Sequence, residues 1–260
     1  MKKLTSFLLV IIVLTACNND TNNHDTDKEV IAVDKNLPIP NNQVVDDYQI
    51  LFMGNSHVQS LNIMITALIK ARFPDKTVTA VSAPGTKFLS ERTQDGVSID
   101  LLTNTPWTHV VLQAQKYSSS GAFIHPTDAA VSLIQLAKNQ NTMPILYPEH
   151  PRIDNTTEGM RVHLIHTGIA EEEASCVAPV GLAWDRVIEL YPELSLHQSD
   201  GNHANTAGKL LTAFVLYQVV TGESADSLPT IKDIDVNSST QNNLKRIASY
   251  SIEQNPACIF

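Results

Sequence analysis

The sequence alternates short apolar runs, rich in β-branched residues, with longer segments whose apolar residues recur at helical spacing. The first of these segments carries Val58, Leu61, Ile65 and Leu68 on one predicted helix face. Buried strands separated by helices form parallel sheets that are covered on both sides. The pattern predicts a doubly wound α/β domain whose mostly parallel sheet has five strands, at residues 48–53, 77–82, 109–113, 143–147 and 176–180.

The first 47 residues have a different character from the rest of the chain. Residues 1–16 combine Lys2 and Lys3 with an apolar run that is too short to span a bilayer, which is typical of a signal peptide. The following residues 17–47 are rich in Asn, Asp and Thr without a periodic apolar face, and they predict a flexible tether. We therefore expect one domain over residues 48–260.

The tetrapeptide "LTAC", which ends at Cys17, resembles the lipobox of bacterial lipoproteins. This resemblance implies that Cys17 becomes the lipidated N-terminus of an exported protein. In Gram-negative bacteria, Asn18 after the cysteine implies the periplasmic side of the outer membrane. An ordinary secretory signal, in which Cys17 has no special role, is the alternative.

The charge balance argues against nucleic acid as a partner. The net charge is −9 at pH 7, and removal of Lys2 and Lys3 with the signal would make it about −11. No basic patch offsets this charge, so we expect contact with a membrane only through the lipid anchor.

Two further cysteines, Cys176 and Cys258, remain once Cys17 is lipidated. In an oxidising compartment they can form a disulfide that fixes the C-terminal tail to the domain. Two unpaired thiols are the alternative.

Polar residues follow the predicted strands, at the edge of the sheet where ligands bind in this class of fold. After the first strand comes "GNSH", in which Ser56 stands where the strand turns into a helix. A hydroxyl at such a turn lies beside the unpaired N–H groups of the helix start, which favour an anion. Ser56 is therefore a candidate nucleophile, although a helix cap is an equally ordinary role for serine.

A second polar turn, "SDGNH", places Asp200 three residues before His203 and ahead of the last long helical pattern. The carboxylate can accept a hydrogen bond from one ring nitrogen while the other nitrogen faces the site. Asp200 and His203 are thus candidates for the pair that orients and deprotonates a serine. A surface turn with a helix cap is the alternative.

Because it has these two turns in this order, the chain resembles the SGNH, or GDSL-type, hydrolases. It is most similar to a bacterial subgroup known only as a domain of unknown function, through "GNS", "VVLQAQKYS", "APVGLAW" and "SDGNHANTAGKLLTA" over about residues 48–222. The resemblance implies a flavodoxin-like sheet and a catalytic triad of Ser56, His203 and Asp200. It also implies an oxyanion hole from the N–H groups of Ser56 and Gly85.

The third block of the family departs from the usual pattern. The main family uses an asparagine amide after strand three, and the matching position here is Gln115, with Gln113 as the alternative. The resemblance implies that one of these amides completes the oxyanion hole, and that no metal or cofactor is needed.

The function implied is that of a serine esterase removing small acyl groups, such as acetyl, from a carbohydrate or cell-envelope substrate. Two alternatives remain on the same fold: a lipoprotein that binds a ligand without turnover, and a structural envelope protein. The acyl acceptor and the oligomeric state are not encoded in a recognisable motif.

Overall fold

The computed structural model describes residues 37–260, and its centre is a five-stranded parallel sheet. The strands lie in the order β2-β1-β3-β4-β5, which is the order of flavodoxin-like sheets. The predicted fold class is therefore confirmed. The strands are β1 (Asp47–Met53), β2 (Thr77–Ser82), β3 (His109–Leu112), β4 (Met143–Leu146) and β5 (Cys176–Val177).

Helices follow the strands and cover both faces of the sheet. Among residues 37–260, no helix is both long enough and apolar enough to cross a membrane. The helices are α1 (Leu61–Arg72), α2 (Leu89–Arg92), α3 (Gly96–Thr103), α4 (Asp128–Asn139), α5 (Glu158–Glu172), α6 (Val180–Leu190), α7 (Thr206–Thr221) and α8 (Ser238–Gln254).

The core is divided into two layers because successive strand residues point to opposite faces. Ile50 and Phe52 of β1 pack with α1, α6, α7 and α8, whereas Leu51 and Met53 pack with α2, α3, α4 and α5. All four residues of β3 and of β4 are buried, as expected for interior strands of a parallel sheet. The edge strand β2 is only partly buried.

The last strand is shorter than predicted. It ends at Val177 because Pro179, which lacks a backbone N–H, caps the next helix and α6 begins at Val180. The predicted pairing of the cysteines is present, with Cys176 bonded to Cys258 across a separation of 82 residues. The tail is also held to β5 by the Val177 N–H, which donates to Ala257.

The described part of the predicted tether, residues 37–47, packs against the domain, which corrects that boundary. Ile39 is buried in the core. The Asn42 amide donates to the carbonyls of Thr108 and Asn141, each at 2.8 Å. These contacts stabilise the segment because they satisfy loop carbonyls next to β3 and β4. The predicted signal peptide and Cys17 lie outside the described residues.

Candidate active site

The turn after β1 places Ser56 at the carboxyl edge of the sheet. A single 3-10 turn over Ser56–Val58 separates the strand from α1. The Asn55 side chain accepts a hydrogen bond from the His57 N–H at 3.0 Å and caps this turn. Ser56 is thus held at a short helical start, as the sequence predicts.

Gly54 lets a neighbouring strand approach this turn. A Cβ at Gly54 would lie 2.4 Å from Oε1 of Gln113, so any larger residue would displace the glutamine. That oxygen accepts a hydrogen bond from the Asn55 N–H at 2.9 Å. The fully buried Gln113 side chain therefore supports the serine turn from below.

The structure brings Ser56, His203 and Asp200 together in one hydrogen-bonded chain. Oγ of Ser56 lies 2.8 Å from Nε2 of His203, and Nδ1 of His203 lies 2.5 Å from Oδ2 of Asp200. Because an ionised carboxylate only accepts, Nδ1 carries the proton and Nε2 is free to accept from the serine hydroxyl. This is the tautomer that a serine nucleophile requires.

Asp200 also shapes the turn on which His203 stands. Its Oδ1 accepts hydrogen bonds from the N–H groups of Asn202 and His203, each at 2.9 Å. Gly201, between Asp200 and Asn202, has a φ of +67°, a backbone conformation that glycine adopts without strain. The bonds from His203 and from the two N–H groups hold the pKa of Asp200 well below its usual range.

A second turn, after β2, lies beside the serine turn. Gly85 has a φ of +73°, and among residues 37–260 the N–H groups of Ser56 and Gly85 meet no hydrogen-bond acceptor. The buried guanidinium of Arg92 donates to the carbonyls of Gly54, Pro84 and Gly85, each at 2.7 Å. Arg92 thereby fixes the two turns relative to each other, and no motif in the sequence pointed to it.

The amide predicted for the oxyanion hole is used elsewhere, which corrects the assignment of Gln115. Its Nε2 donates to the carbonyls of His125 and Pro126, at 2.9 and 3.3 Å, so both of its N–H groups hold the loop after β3. Gln113 is the amide that contacts the serine turn, but it does so through its oxygen. Its Nε2 donates to Glu149.

A buried network of charges lies beneath the serine turn. Oε2 of Glu149 accepts from Gln113 at 2.8 Å, and its Oε1 lies 2.6 Å from Nζ of Lys116. The same ammonium lies 2.8 Å from Glu158. Burial by itself would raise the pKa of Glu149, but nearby His57 and Lys116 more than offset this and lower it. Gln113 is thus fixed by an ionised carboxylate.

Aromatic rings support the His203 turn from the other side. His150 stacks on the buried Trp184 with ring centroids 3.9 Å apart, and its Nε2 donates to the Asn202 carbonyl at 2.9 Å. Burial lowers the pKa of His150 to about 3, so the ring is neutral. His57 stacks on His203 with centroids 5.0 Å apart, and burial lowers its pKa too.

A cavity of about 210 Å³ opens beside the serine and histidine. Apart from Ala204 its lining is polar, and its members are Ser56, His57, Gln59, Gln198, His203, Ala204 and Lys209. Within residues 37–260, no group of three or more His, Cys, Asp or Glu side chains is arranged to hold a metal ion.

No protein-family model matches the sequence, and a search of curated proteins finds no match. Solved structures do share the fold. A protein described as an SGNH hydrolase from Slackia heliotrinireducens is 21% identical, with a TM-score of 0.52 over 66% of this chain and 98% of that one. A DUF4886 family protein from Bacteroides uniformis is 13% identical, with a TM-score of 0.61 over 82% and 98% of the two chains.

A third structure is a two-domain esterase that is described as active on acetylated mannans. It is 17% identical, with a TM-score of 0.50 over 75% of this chain and 55% of that one. At these identities the comparisons establish the architecture only, so the chain has the fold of the SGNH hydrolases.

Proposed function

We propose that this protein is a serine esterase that removes small acyl groups, such as acetyl, from a carbohydrate or envelope substrate. The observation that carries the proposal is the chain of contacts from Ser56 through His203 to Asp200. These contacts lie at the carboxyl edge of the sheet, where ligands bind in doubly wound folds.

In the first half of the reaction, Oγ of Ser56 attacks the ester carbonyl carbon while its proton passes to Nε2 of His203. The resulting oxyanion accepts hydrogen bonds from the free N–H groups of Ser56 and Gly85. Each donor of this kind lowers the barrier by about 3 kcal/mol. Asp200 keeps the proton of His203 on Nδ1 and stabilises the imidazolium that forms.

The tetrahedral intermediate then breaks its bond to the alcohol, and His203 returns the proton to the leaving oxygen. The acyl group remains on Ser56. In the second half, water attacks the acyl carbon and gives a proton to His203, and the carboxylic acid leaves as Ser56 regains its hydrogen. No metal or cofactor takes part in these steps.

The lining of the cavity supports a polar acceptor. The space beside Ser56 and His203 is lined almost entirely by polar side chains, which can hydrogen-bond the hydroxyl groups of a carbohydrate. The esterase active on acetylated mannans shares this architecture and provides a precedent for an acetylated glycan as substrate.

The test is turnover of p-nitrophenyl esters of increasing chain length, by the protein lacking residues 1–17 and by its Ser56→Ala variant. We expect the acetyl ester to give the highest kcat/KM and the variant to lose activity. A ligand-binding protein without catalysis would show no difference between the two proteins.

We also propose that the protein is exported and anchored through a lipid on Cys17, on the periplasmic side of the outer membrane. The disulfide between Cys176 and Cys258 supports an oxidising compartment. Cys17→Ser should abolish labelling with a fatty-acid probe and release the protein from the membrane fraction. Unchanged fractionation would contradict the anchor.

A further inference from the structure

Lys209 lies in the cavity beside the candidate triad and has no role in the steps described above. It stands in the first turns of α7, after Asn205, whose side chain caps the helix by accepting from the Gly208 N–H. The lysine side chain is partly buried and lines the same 210 Å³ cavity as Ser56 and His203.

The charge of Lys209 is uncompensated within this cavity. No Asp or Glu lines the cavity, and no other Lys or Arg does. Among residues 37–260, its Nζ forms neither an ion pair nor a hydrogen bond, although the chain as a whole has a net charge of −9. The start of the 16-residue helix α7 adds a partial positive charge of the same sign. Among residues 37–260, Lys209 is thus the one Lys, Arg, Asp or Glu side chain that lines this cavity.

The chemistry of the reaction decides which part of a substrate enters the cavity. His203 must reach the alcohol oxygen in order to protonate it as it leaves. The cavity contains His203, whereas Gly85 of the oxyanion site does not line it. The leaving alcohol therefore lies in this space, together with Gln59, Gln198 and Lys209.

We propose that Lys209 determines specificity, favouring esters whose alcohol carries an anionic group, either a carboxylate or a phosphate. This inference rests on the proposed esterase function, since it says which alcohols the same site accepts. Gln59 and Gln198 provide neutral hydrogen-bonding groups for the remaining hydroxyls, so the acceptor is a polar, negatively charged molecule such as an acidic sugar.

The experiment compares three acetyl esters that differ in the charge of the alcohol. These are methyl 4-acetoxybenzoate, which is neutral, 4-acetoxybenzoate and 4-acetoxyphenyl phosphate. The kcat/KM of each anionic ester is divided by that of the neutral ester, for the wild type and for Lys209→Met. Intrinsic reactivity cancels because the same esters are used with both proteins.

We expect the ratio to fall about two- to fivefold in Lys209→Met, the range for one partly exposed ion pair. Lys209→Arg should keep the preference, and Lys209→Glu should lower the ratio further. The preference should weaken as NaCl is added. The anionic ester whose ratio falls more in Lys209→Met identifies the anionic group. The control Lys232→Met removes the same charge from an exposed position and should leave the ratio unchanged.

An unchanged ratio in Lys209→Met would overturn the inference while leaving the esterase function intact. If the wild type hydrolyses none of the esters faster than Ser56→Ala does, the proposed esterase function is wrong. The role of Lys209 is then tested by measuring ligand binding instead of hydrolysis. The measurement is the Kd of 4-hydroxybenzoate and of its methyl ester for Ser56→Ala. If the Kd for the carboxylate is higher in the Ser56→Ala, Lys209→Met double variant than in Ser56→Ala, the anion site is supported. An unchanged Kd overturns it.

Discussion

The two turns that meet at the candidate active site are held in different ways. The serine turn, residues 54–57, is supported by side chains that are distant in sequence, namely Gln113 just after β3 and Arg92 from α2. The histidine turn, residues 198–203, is held largely by bonds among its own residues, with two more from His150 to the Asn202 carbonyl and from the Ile153 N–H to the Gly201 carbonyl. There Asp200 accepts from two N–H groups of its own turn, and the Gln198 N–H donates to the His203 carbonyl.

The two turns also differ in burial. The charged groups beneath the serine turn are almost fully buried, whereas the side chains of Asp200 and His203 are 47% and 34% exposed. A change beneath the serine turn should therefore affect both folding and catalysis, because it leaves buried polar groups unpaired. A change in the histidine turn should affect catalysis alone.

The largest effect is expected from the histidine turn. His203→Ala should lower kcat by at least ~10³-fold, since triad members act as a unit. The thermal midpoint should move by less than about 2 °C because the side chain is partly exposed and at the surface. Hydrolysis of p-nitrophenyl acetate and thermal unfolding are measured on the same preparation. The control His125→Ala should keep full activity, and loss of fold in His203→Ala would contradict the comparison.

The next largest effect is expected from the buried charges beneath the serine turn. Glu149→Ala removes a buried carboxylate and leaves the Gln113 amide without its acceptor. We expect the free energy of unfolding to fall by about 3 kcal/mol, as for the loss of one partner of a buried pair. Because the serine turn then loses its support, kcat should fall too. The measurement is urea unfolding followed by circular dichroism.

A matched control for Glu149→Ala is Glu189→Ala, which breaks the exposed pair with Arg186. This change should cost less than about 0.5 kcal/mol. Equal losses from the two variants would show that the network beneath the serine turn contributes nothing special to stability.

Stability should also depend on pH through histidines that are buried neutral. Burial lowers the pKa of His109 and His150 to about 3 and that of His166 to about 4. Their pKa values are depressed on folding, so the stability they contribute is present above about pH 6.5 and is lost as the pH falls. Asp185 has the opposite effect on the pH dependence of stability. Burial raises its pKa to about 7, so the folded protein holds one proton there that is released on unfolding.

Three protons taken up on unfolding against one released leave at least two, since burial also lowers the pKa of His57 and of His163, and stability should fall by at least roughly 2.7 kcal/mol per pH unit between about pH 6 and 4.5. The check is urea unfolding at several pH values in this window. A free energy of unfolding that stays constant there would contradict the burial of the neutral His150 ring behind the histidine turn.

The smallest expected effect is the difference in kcat between variants of Gln113 and Gln115. Gln113→Leu removes the acceptor of the Asn55 N–H and should lower kcat by about tenfold, since a buried donor is left unpaired at the serine turn. Gln115→Leu frees only the loop carbonyls of His125 and Pro126, so kcat should change by less than about threefold. The values are normalised to active sites titrated with a phosphonate. If the two variants exchange these effects, the Gln115 amide serves the oxyanion after all.

The same comparison explains what the sequence could predict. The five strands and the Asp200 turn follow from local patterns, because periodicity and short spacings are visible in a single chain. Gln115 was misassigned because counting along a strand does not give the direction of a side chain in the loop beyond it. Arg92 and Lys116 were missed because they act through contacts between segments 33 to 38 residues apart, and no spacing rule records such contacts.

The proposed esterase activity requires Ser56 to be the nucleophile that His203 activates. The most direct measurement is peptide mass spectrometry after reaction with diethyl p-nitrophenyl phosphate, together with the rate of labelling. We expect one phosphoryl adduct, on Ser56, which is absent in Ser56→Ala and forms at least ~10²-fold more slowly in His203→Ala. An adduct on another residue, or a labelling rate that His203→Ala leaves unchanged, would contradict it.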